Sequence, residues 1–126
     1  MIRILAAACT AALLAMPATA KADDFSLSYD VDRVPTAKLS LAACRGAIAR
    51  AAGALGYTTR VDQDQGTLVT HVSGPRQEGR SLIAYCIAAG DQTVFVVQAF
   101  DYTGPDSPEV DRIKTQVGAE IRKAAR

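Results

Sequence analysis

The sequence has 126 residues, with 14 basic and 13 acidic side chains, 6% aromatic residues and no tryptophan. The first 22 residues have the pattern of an export signal, and without them 12 basic and 13 acidic side chains remain on 104 residues, the length of one domain. This balance leaves no basic field for nucleic acid or an anionic membrane, and so few aromatic residues argue against a carbohydrate or base-stacking platform.

The N-terminus is typical of a cleaved secretory signal. A short positive start precedes an apolar run over residues 4–16, and small residues then form two A-x-A sites. We expect cleavage after Ala20 or Ala22, so that residues 1–22 form the signal peptide and residues 23–126 a single mature domain. The run is shorter than the ~20 residues of a membrane-spanning helix. The alanine-rich signal is typical of bacteria, and we expect a periplasmic protein without a membrane span after cleavage; secretion beyond the periplasm stays open.

Hydrophobic periodicity predicts one strand and one helix in the first part of the mature chain. Residues 25–31 alternate between apolar and polar side chains, which is the period of a half-buried strand. Ser40 can cap a helix over residues 41–55, whose apolar residues recur at spacings of three and four. Gly56 is a typical stop for this helix.

Four more strands and a second helix are predicted in the rest of the chain. Strands begin at Tyr57, Leu68, Ser81 and Gln92, and turn residues separate them. Ser107 caps a last helix with Pro108 in its first turn, where proline is favoured. The order strand, helix, four strands, helix predicts an α+β fold. Its simplest packing is a two-layer sandwich, in which a mainly antiparallel five-stranded sheet carries both helices on one face. The order of the strands in the sheet stays open.

Two cysteines, Cys44 and Cys86, remain after the signal is removed. In an oxidising compartment they are expected to form one structural disulfide, with two unpaired buried cysteines as the alternative. A redox-active pair is disfavoured, because the chain has no C-x-x-C motif and no histidine close in sequence. One histidine and two oxidised cysteines cannot form a zinc site, and a hairpin turn explains residues 62–66 better than a calcium loop. We expect no metal and no cofactor.

The fourth and fifth strands are apolar on both faces, although two helices can cover only one face of a sheet. If Cys44 bonds to Cys86, the side away from the helices presents Ile83, Tyr85 and Ile87. Phe95 and Val97, or their neighbours, are expected beside them. Such a surface predicts binding to an unknown protein partner or to a second copy of the chain. The alternatives are that a loop of the chain covers this face, or that an apolar ligand binds there.

The sequence contains no catalytic motif that we can identify. His71 is the only histidine, and neither G-x-S-x-G nor S-x-x-K occurs. We therefore expect His71 to be an ordinary surface or edge residue. His71, Arg76 and Arg80 could converge on an anion, but Glu78 opposes this and a solvated loop explains the segment better.

Residues 29–41, with the sequence YDVDRVPTAKLSL, resemble the opening of small exported bacterial proteins catalogued only as a domain of unknown function. Residues 85–87 and 97–99 are similar in kind, so that the resemblance covers most of the mature chain. It implies export and a cysteine at each of Cys44 and Cys86, and it transfers no activity, ligand or catalytic residue.

The function that these features predict is that of a non-enzymatic periplasmic binding domain with one disulfide. It would act through a protein partner or through a second copy of itself. A small-molecule binder for an apolar or anionic ligand, using the same face or the loop at residues 73–79, is the alternative. An enzyme of unrecognised type is the least favoured class.

Overall fold

The computed structural model of the chain describes residues 24–75 and 78–126, and the predicted signal peptide lies outside this part. The α+β fold and the order β-α-β-β-β-β-α are confirmed. The strands are β1 (Ser26–Pro35), β2 (Thr58–Asp64), β3 (Leu68–Gly74), β4 (Arg80–Ala89) and β5 (Gln92–Asp101). The helices are α1 (Leu41–Ala54) and α2 (Pro108–Ala124), and neither is long and apolar enough to cross a membrane.

The five strands form one antiparallel sheet with the order β1-β5-β4-β3-β2. Strands β2 to β5 are a continuous meander, and β1 pairs with β5 along its whole length, from Ser26 opposite Asp101 to Pro35 opposite Gln92. Helix α1 therefore carries the chain from one edge of the sheet to the other. This arrangement places β4 in the middle and leaves β1 and β2 as edge strands.

Both helices begin after a serine, as predicted, but only one serine caps its helix. The hydroxyl of Ser40 accepts a hydrogen bond from the backbone N–H of Ala43 at 3.0 Å, which is the usual N-cap geometry. The hydroxyl of Ser107 instead donates to Asp101 at 2.7 Å, and so ties the start of α2 to the end of β5. Gly56, with a φ of 75°, lets the chain turn from α1 into β2.

The core lies between the helices and one face of the sheet. Helix α1 packs over β3 and β4, and α2 packs over β5 and β1. The disulfide between Cys44 and Cys86 joins α1 to β4, with 6.2 Å between the Cα atoms. The largest fully buried apolar side chains are Leu39, Ile48, Leu82, Phe95, Ile113 and Ile121.

Strand β1 turns its polar side toward the helices. Ser26 and Ser28 are buried there, because hydrogen-bond partners are available to both. The hydroxyl of Ser28 donates to the Asp111 carboxylate of α2, and the Arg122 guanidinium donates to Asp30 at 2.8 and 3.0 Å. The apolar side of this segment therefore faces away from the helices. Its residues are 44–66% exposed and comprise Phe25, Leu27, Tyr29 and Val31.

Candidate functional site

The sheet face that the helices leave uncovered is an apolar surface, which we call the open face. The register and the alternation of burial along the strands assign its members. From the first strand and the residue before it come Phe25, Leu27, Tyr29 and Val31. From β2 to β5 and the residue after β5 come Val61, Leu68, Val72, Ile83, Tyr85, Ile87, Val94, Val96, Phe100 and Tyr102.

Cross-strand pairing makes the open face continuous. Val31 lies opposite Val96, and Val96 lies opposite Tyr85 on the central strand. In the neighbouring row, Ile87 lies between Val94 of β5 and Leu68 of β3. Side chains directly opposite each other on one face are about 5 Å apart at their Cβ atoms, so these rows form one patch and not isolated apolar residues.

Aromatic rings collect at one end of the open face. The ring centroids of Phe25 and Tyr102 are 6.0 Å apart, and Phe100 stacks on Tyr102 with 5.9 Å between centroids. These separations are typical of attractive aromatic pairs. Nevertheless Phe25 is 51% and Tyr102 60% exposed. Aromatic residues held in this way are characteristic of protein interfaces, where they supply much of the binding energy.

The open face is almost free of charge. Among its cross-strand paired positions, the only charged residue is Arg33, which lies opposite Val94 on the edge strand. A depression of about 240 Å³ near this point is lined by Val31, Asp32, Arg33 and Val94. Small-molecule sites usually enclose about 300–1,000 Å³. The open face is thus shaped to meet another surface more than to enclose a small ligand.

Three of the residues that the sequence placed on this surface do lie on it. Ile83, Tyr85 and Ile87 are on the open face and are partly exposed. The prediction was wrong for Phe95 and Val97, which are fully buried on the helix side of β5.

The register explains this error. Phe95 lies opposite Cys86, whose side chain points to α1 for the disulfide, and Val97 lies opposite Ala84 on the same side. Their neighbours Val94 and Val96 lie on the open face instead and are partly exposed.

Sequence reasoning missed the contribution of β1 to the open face. Tyr29 is 66% and Val31 56% exposed, more than any of the predicted surface residues. The alternating pattern was visible, but such a pattern does not say which side faces the core. The polar residues on the opposite side of β1 could have indicated its orientation. Ser28 donates a hydrogen bond to Asp111 of α2, and Asp30 accepts one from Arg122 of the same helix.

The predicted anion site is not assembled by the described residues. Arg80 is neutralised, since its guanidinium lies 2.8 Å from Glu78 and 3.3 Å from Asp101. Arg76 lies outside the part of the chain that the structure describes. Basic side chains gather elsewhere, at a groove of about 460 Å³ beside the end of α2. This groove is lined by Arg50, Glu120, Lys123, Ala124 and Arg126.

His71 is not the surface or edge residue that we expected. It is 2% exposed, on the helix side of β3, opposite Asp62 and Ala84. Neither of its ring nitrogens has a hydrogen-bond partner among the described residues, and the same holds for the hydroxyl of Ser73. Burial lowers the pKa of His71, while the charge of Asp62 acts in the opposite direction. A buried neutral imidazole is unsuited to binding an anion.

Asp101 is a buried carboxylate whose bonds are all made within the protein. It accepts hydrogen bonds from the backbone N–H of Thr103 at 2.9 Å and from the hydroxyls of Thr103 and Ser107. These bonds, with the positive charge of Arg80, hold the pKa of Asp101 well below its ordinary value. The arrangement fixes the junction between β5 and α2. In residues 24–75 and 78–126, no three His, Cys, Asp or Glu side chains are grouped to hold a metal ion.

Comparison with known proteins gives a family and no activity. A search of curated proteins found no match. The model of a family of unknown function matches residues 24–126, which is more than three quarters of the chain. The expectation of such a family is confirmed, and the chain belongs to the family of unknown function DUF6180.

Proposed function

We propose that the chain is a non-enzymatic binding domain, exported to the periplasm, that works through its open face. The observation that carries this proposal is the continuous apolar surface, on which Tyr29 is 66% and Val31 56% exposed. Soluble monomers rarely leave contiguous apolar patches larger than about 300–600 Å², and larger patches mark interaction sites.

The exposed area is large enough to drive association. Phe25, Tyr29 and Tyr102 are 51–66% exposed, and aromatic side chains of this kind bury about 150–250 Å² each. These three alone therefore offer roughly 270–440 Å². At about 25 cal/mol per Å², covering this area gains roughly 7–11 kcal/mol before the cost of association is subtracted. The other apolar residues of the open face add to this gain.

The disulfide fits the proposed location. Disulfides persist in oxidising compartments such as the periplasm and are rare in the cytosol. The Cys44–Cys86 bond connects α1 to the central strand, directly behind the open face. We infer that it stiffens the sheet on which binding takes place.

A charged residue on the open face tests the proposal. The protein is expressed from the full-length gene, recovered from a bacterial periplasm and weighed by native mass spectrometry. We expect species heavier than the processed monomer for the wild type, and a bare monomer for Val31→Glu. Ala49→Glu, at an exposed position of α1, is the matched control and should behave as the wild type does.

The control separates a surface effect from a folding effect. Circular dichroism should show all three proteins folded, because both substituted positions are exposed. The proposal fails if all three remain bare monomers at about 1 mM, where even binding of about −4 kcal/mol is detectable, and none captures a partner from a periplasmic extract of the source organism.

A further inference from the structure

We infer that the open face binds a second copy of this chain, so that two sheets stack face to face in a symmetric dimer. This inference rests on the proposed function and names the partner of the same surface. It follows from the charge of the open face, from its dimensions and from its polar residues.

The charge of the open face suits a copy of itself. Its paired positions hold no carboxylate and only one cation, Arg33, near one end of the edge strand β1. A strongly charged partner would find no complementary charge on the open face. Interfaces between different proteins commonly use complementary charges to select the right partner. Two copies related by a twofold axis bring apolar residues onto apolar residues. Arg33 of each copy then stays at the rim in contact with water.

The dimensions of the open face match those of an interface between two like sheets. Five strands about 4.8 Å apart, each seven to ten residues long at about 3.3 Å per residue, cover roughly 24 by 23–33 Å. The result, about 550–790 Å² per copy, approaches the ~800 Å² per partner of a standard interface. The whole face must therefore be covered, and a sheet of the same size does this. Stacked sheets in β-sandwiches pack about 10 Å apart in the same manner.

Apart from Arg33, the polar side chains at the paired positions of the open face are neutral. Gln98 lies opposite Ile83 and Tyr29, and Thr70 lies opposite Tyr85. Amide and hydroxyl groups can hydrogen-bond across a twofold axis without burying an ion. Charged residues are depleted at the centre of real interfaces in the same way.

Tyr85 is the residue that a twofold axis brings closest to its own copy, because it lies in the middle of the central strand. In a symmetric interface, residues at the axis face themselves. Tyr85→Glu and Tyr85→Lys each place like charges opposite each other, and each should raise the dimer dissociation constant at least about tenfold. An equimolar mixture of the two variants brings opposite charges together and should form a mixed dimer.

Native mass spectrometry and sedimentation equilibrium test this inference on protein exported from the full-length gene. The inference predicts a wild-type dimer, two monomeric Tyr85 variants and a heterodimer in their mixture. A wild-type monomer at about 1 mM, or a dimer that neither Tyr85→Glu nor Val31→Glu weakens, overturns it. If a Tyr85 variant unfolds, Val31→Glu alone decides, because its side chain is 56% exposed.

The two levels of the proposal fail in different ways. If the wild type is monomeric but captures a different protein from an extract of the source organism, and Val31→Glu does not, the second copy is excluded and the binding domain stands. If the wild type and Val31→Glu are both monomeric and neither captures another protein, the proposed function and the dimer are both wrong. A dimer disrupted by Val31→Glu but not by Ala49→Glu supports both.

Discussion

Gly118 of α2 lies against the carboxylate of Asp30 in β1, so closely that a Cβ atom on the glycine would be 2.6 Å from Oδ2 of the aspartate. The same carboxylate accepts hydrogen bonds from Arg122, one turn further along α2, and the Arg122 guanidinium lies 5.2 Å from the centre of the Phe95 ring. This close approach holds α2 on the polar side of β1. The apolar side, with Tyr29 and Val31, is consequently directed to the open face.

The contact between Gly118 and Asp30 predicts that alanine has different effects on stability at two helical glycines. Replacing glycine by alanine within a helix normally raises the free energy of unfolding by about 0.5–1 kcal/mol. Gly53→Ala, where no atom lies within 4 Å of the new methyl group, should show this gain. Gly118→Ala should show no gain or a loss, because its methyl group must displace Asp30. Urea unfolding measures both.

A double mutant shows whether the contact with Asp30 is the reason that Gly118→Ala does not stabilise the protein. In the background of Asp30→Ala the carboxylate is gone, and Gly118→Ala should then be stabilising, as Gly53→Ala is in the wild type. A gain from Gly118→Ala in the wild-type background would show that the contact with Asp30 does not constrain α2.

Asp101→Asn should destabilise the junction between β5 and α2. The amide loses the charge to which Arg80, Thr103 and Ser107 are bound, and a buried donor left without a partner costs about 1–3 kcal/mol. Thermal and urea unfolding should both show the loss. Asp91→Asn, at an exposed turn, is the control and should change stability by less than about 0.5 kcal/mol. Equal effects of the two substitutions would contradict a special role for Asp101.

His71 should make stability depend on pH in a defined window. Because burial lowers its pKa in the folded state below the ordinary 6.5, the unfolded chain binds more protons between the two values. The contribution of His71 to stability is therefore complete above about pH 6.5 and declines below it, by at most about 1.4 kcal/mol per pH unit.

Measuring the free energy of unfolding from about pH 7.5 to about pH 5.5 checks this prediction, since no other histidine titrates in this window. His71→Leu should remove the dependence while retaining a folded protein. A wild-type curve that is flat over this range would mean that His71 is solvated or hydrogen-bonded in the folded state.

Loss of the disulfide should cost a large part of the stability. The bond closes a loop with a sequence separation of 42, for which the chain-entropy relation gives about 4 kcal/mol. The double variant Cys44→Ala with Cys86→Ala, unfolded in urea beside the oxidised wild type, should be less stable by about 2–4 kcal/mol. Peptide mapping without reductant should show the two cysteines joined, and free thiols in protein from the periplasm would contradict the bond.

The elements and their order were predictable because each is encoded locally. Spacings of three and four residues indicate α1, and Ser40 marks its start. The side of each strand that faces the core was harder to predict. The apolar run from Val94 to Val97 has no alternation, so only its register with Cys86 decides that Phe95 is buried.

The orientation of β1 depends on contacts between residues far apart in the sequence. Ser28 is buried because Asp111, 83 residues later, accepts a hydrogen bond from its hydroxyl, and Asp30 accepts hydrogen bonds from Arg122, 92 residues later. No local pattern contains these pairs. The contribution of β1 to the open face could therefore not be assigned from the sequence, although the apolar residues on both sides of β4 already indicated that the face lies there.

The oligomeric mass of the exported protein, measured over a concentration series by sedimentation equilibrium, decides whether two copies meet at the open face. We expect a dimer for the wild type and for Ala49→Glu, and a monomer for Val31→Glu, with all three equally folded by circular dichroism. A wild-type protein that stays monomeric at about 1 mM, or a dimer that Val31→Glu leaves intact, would contradict the assignment of the open face as the site where two copies meet.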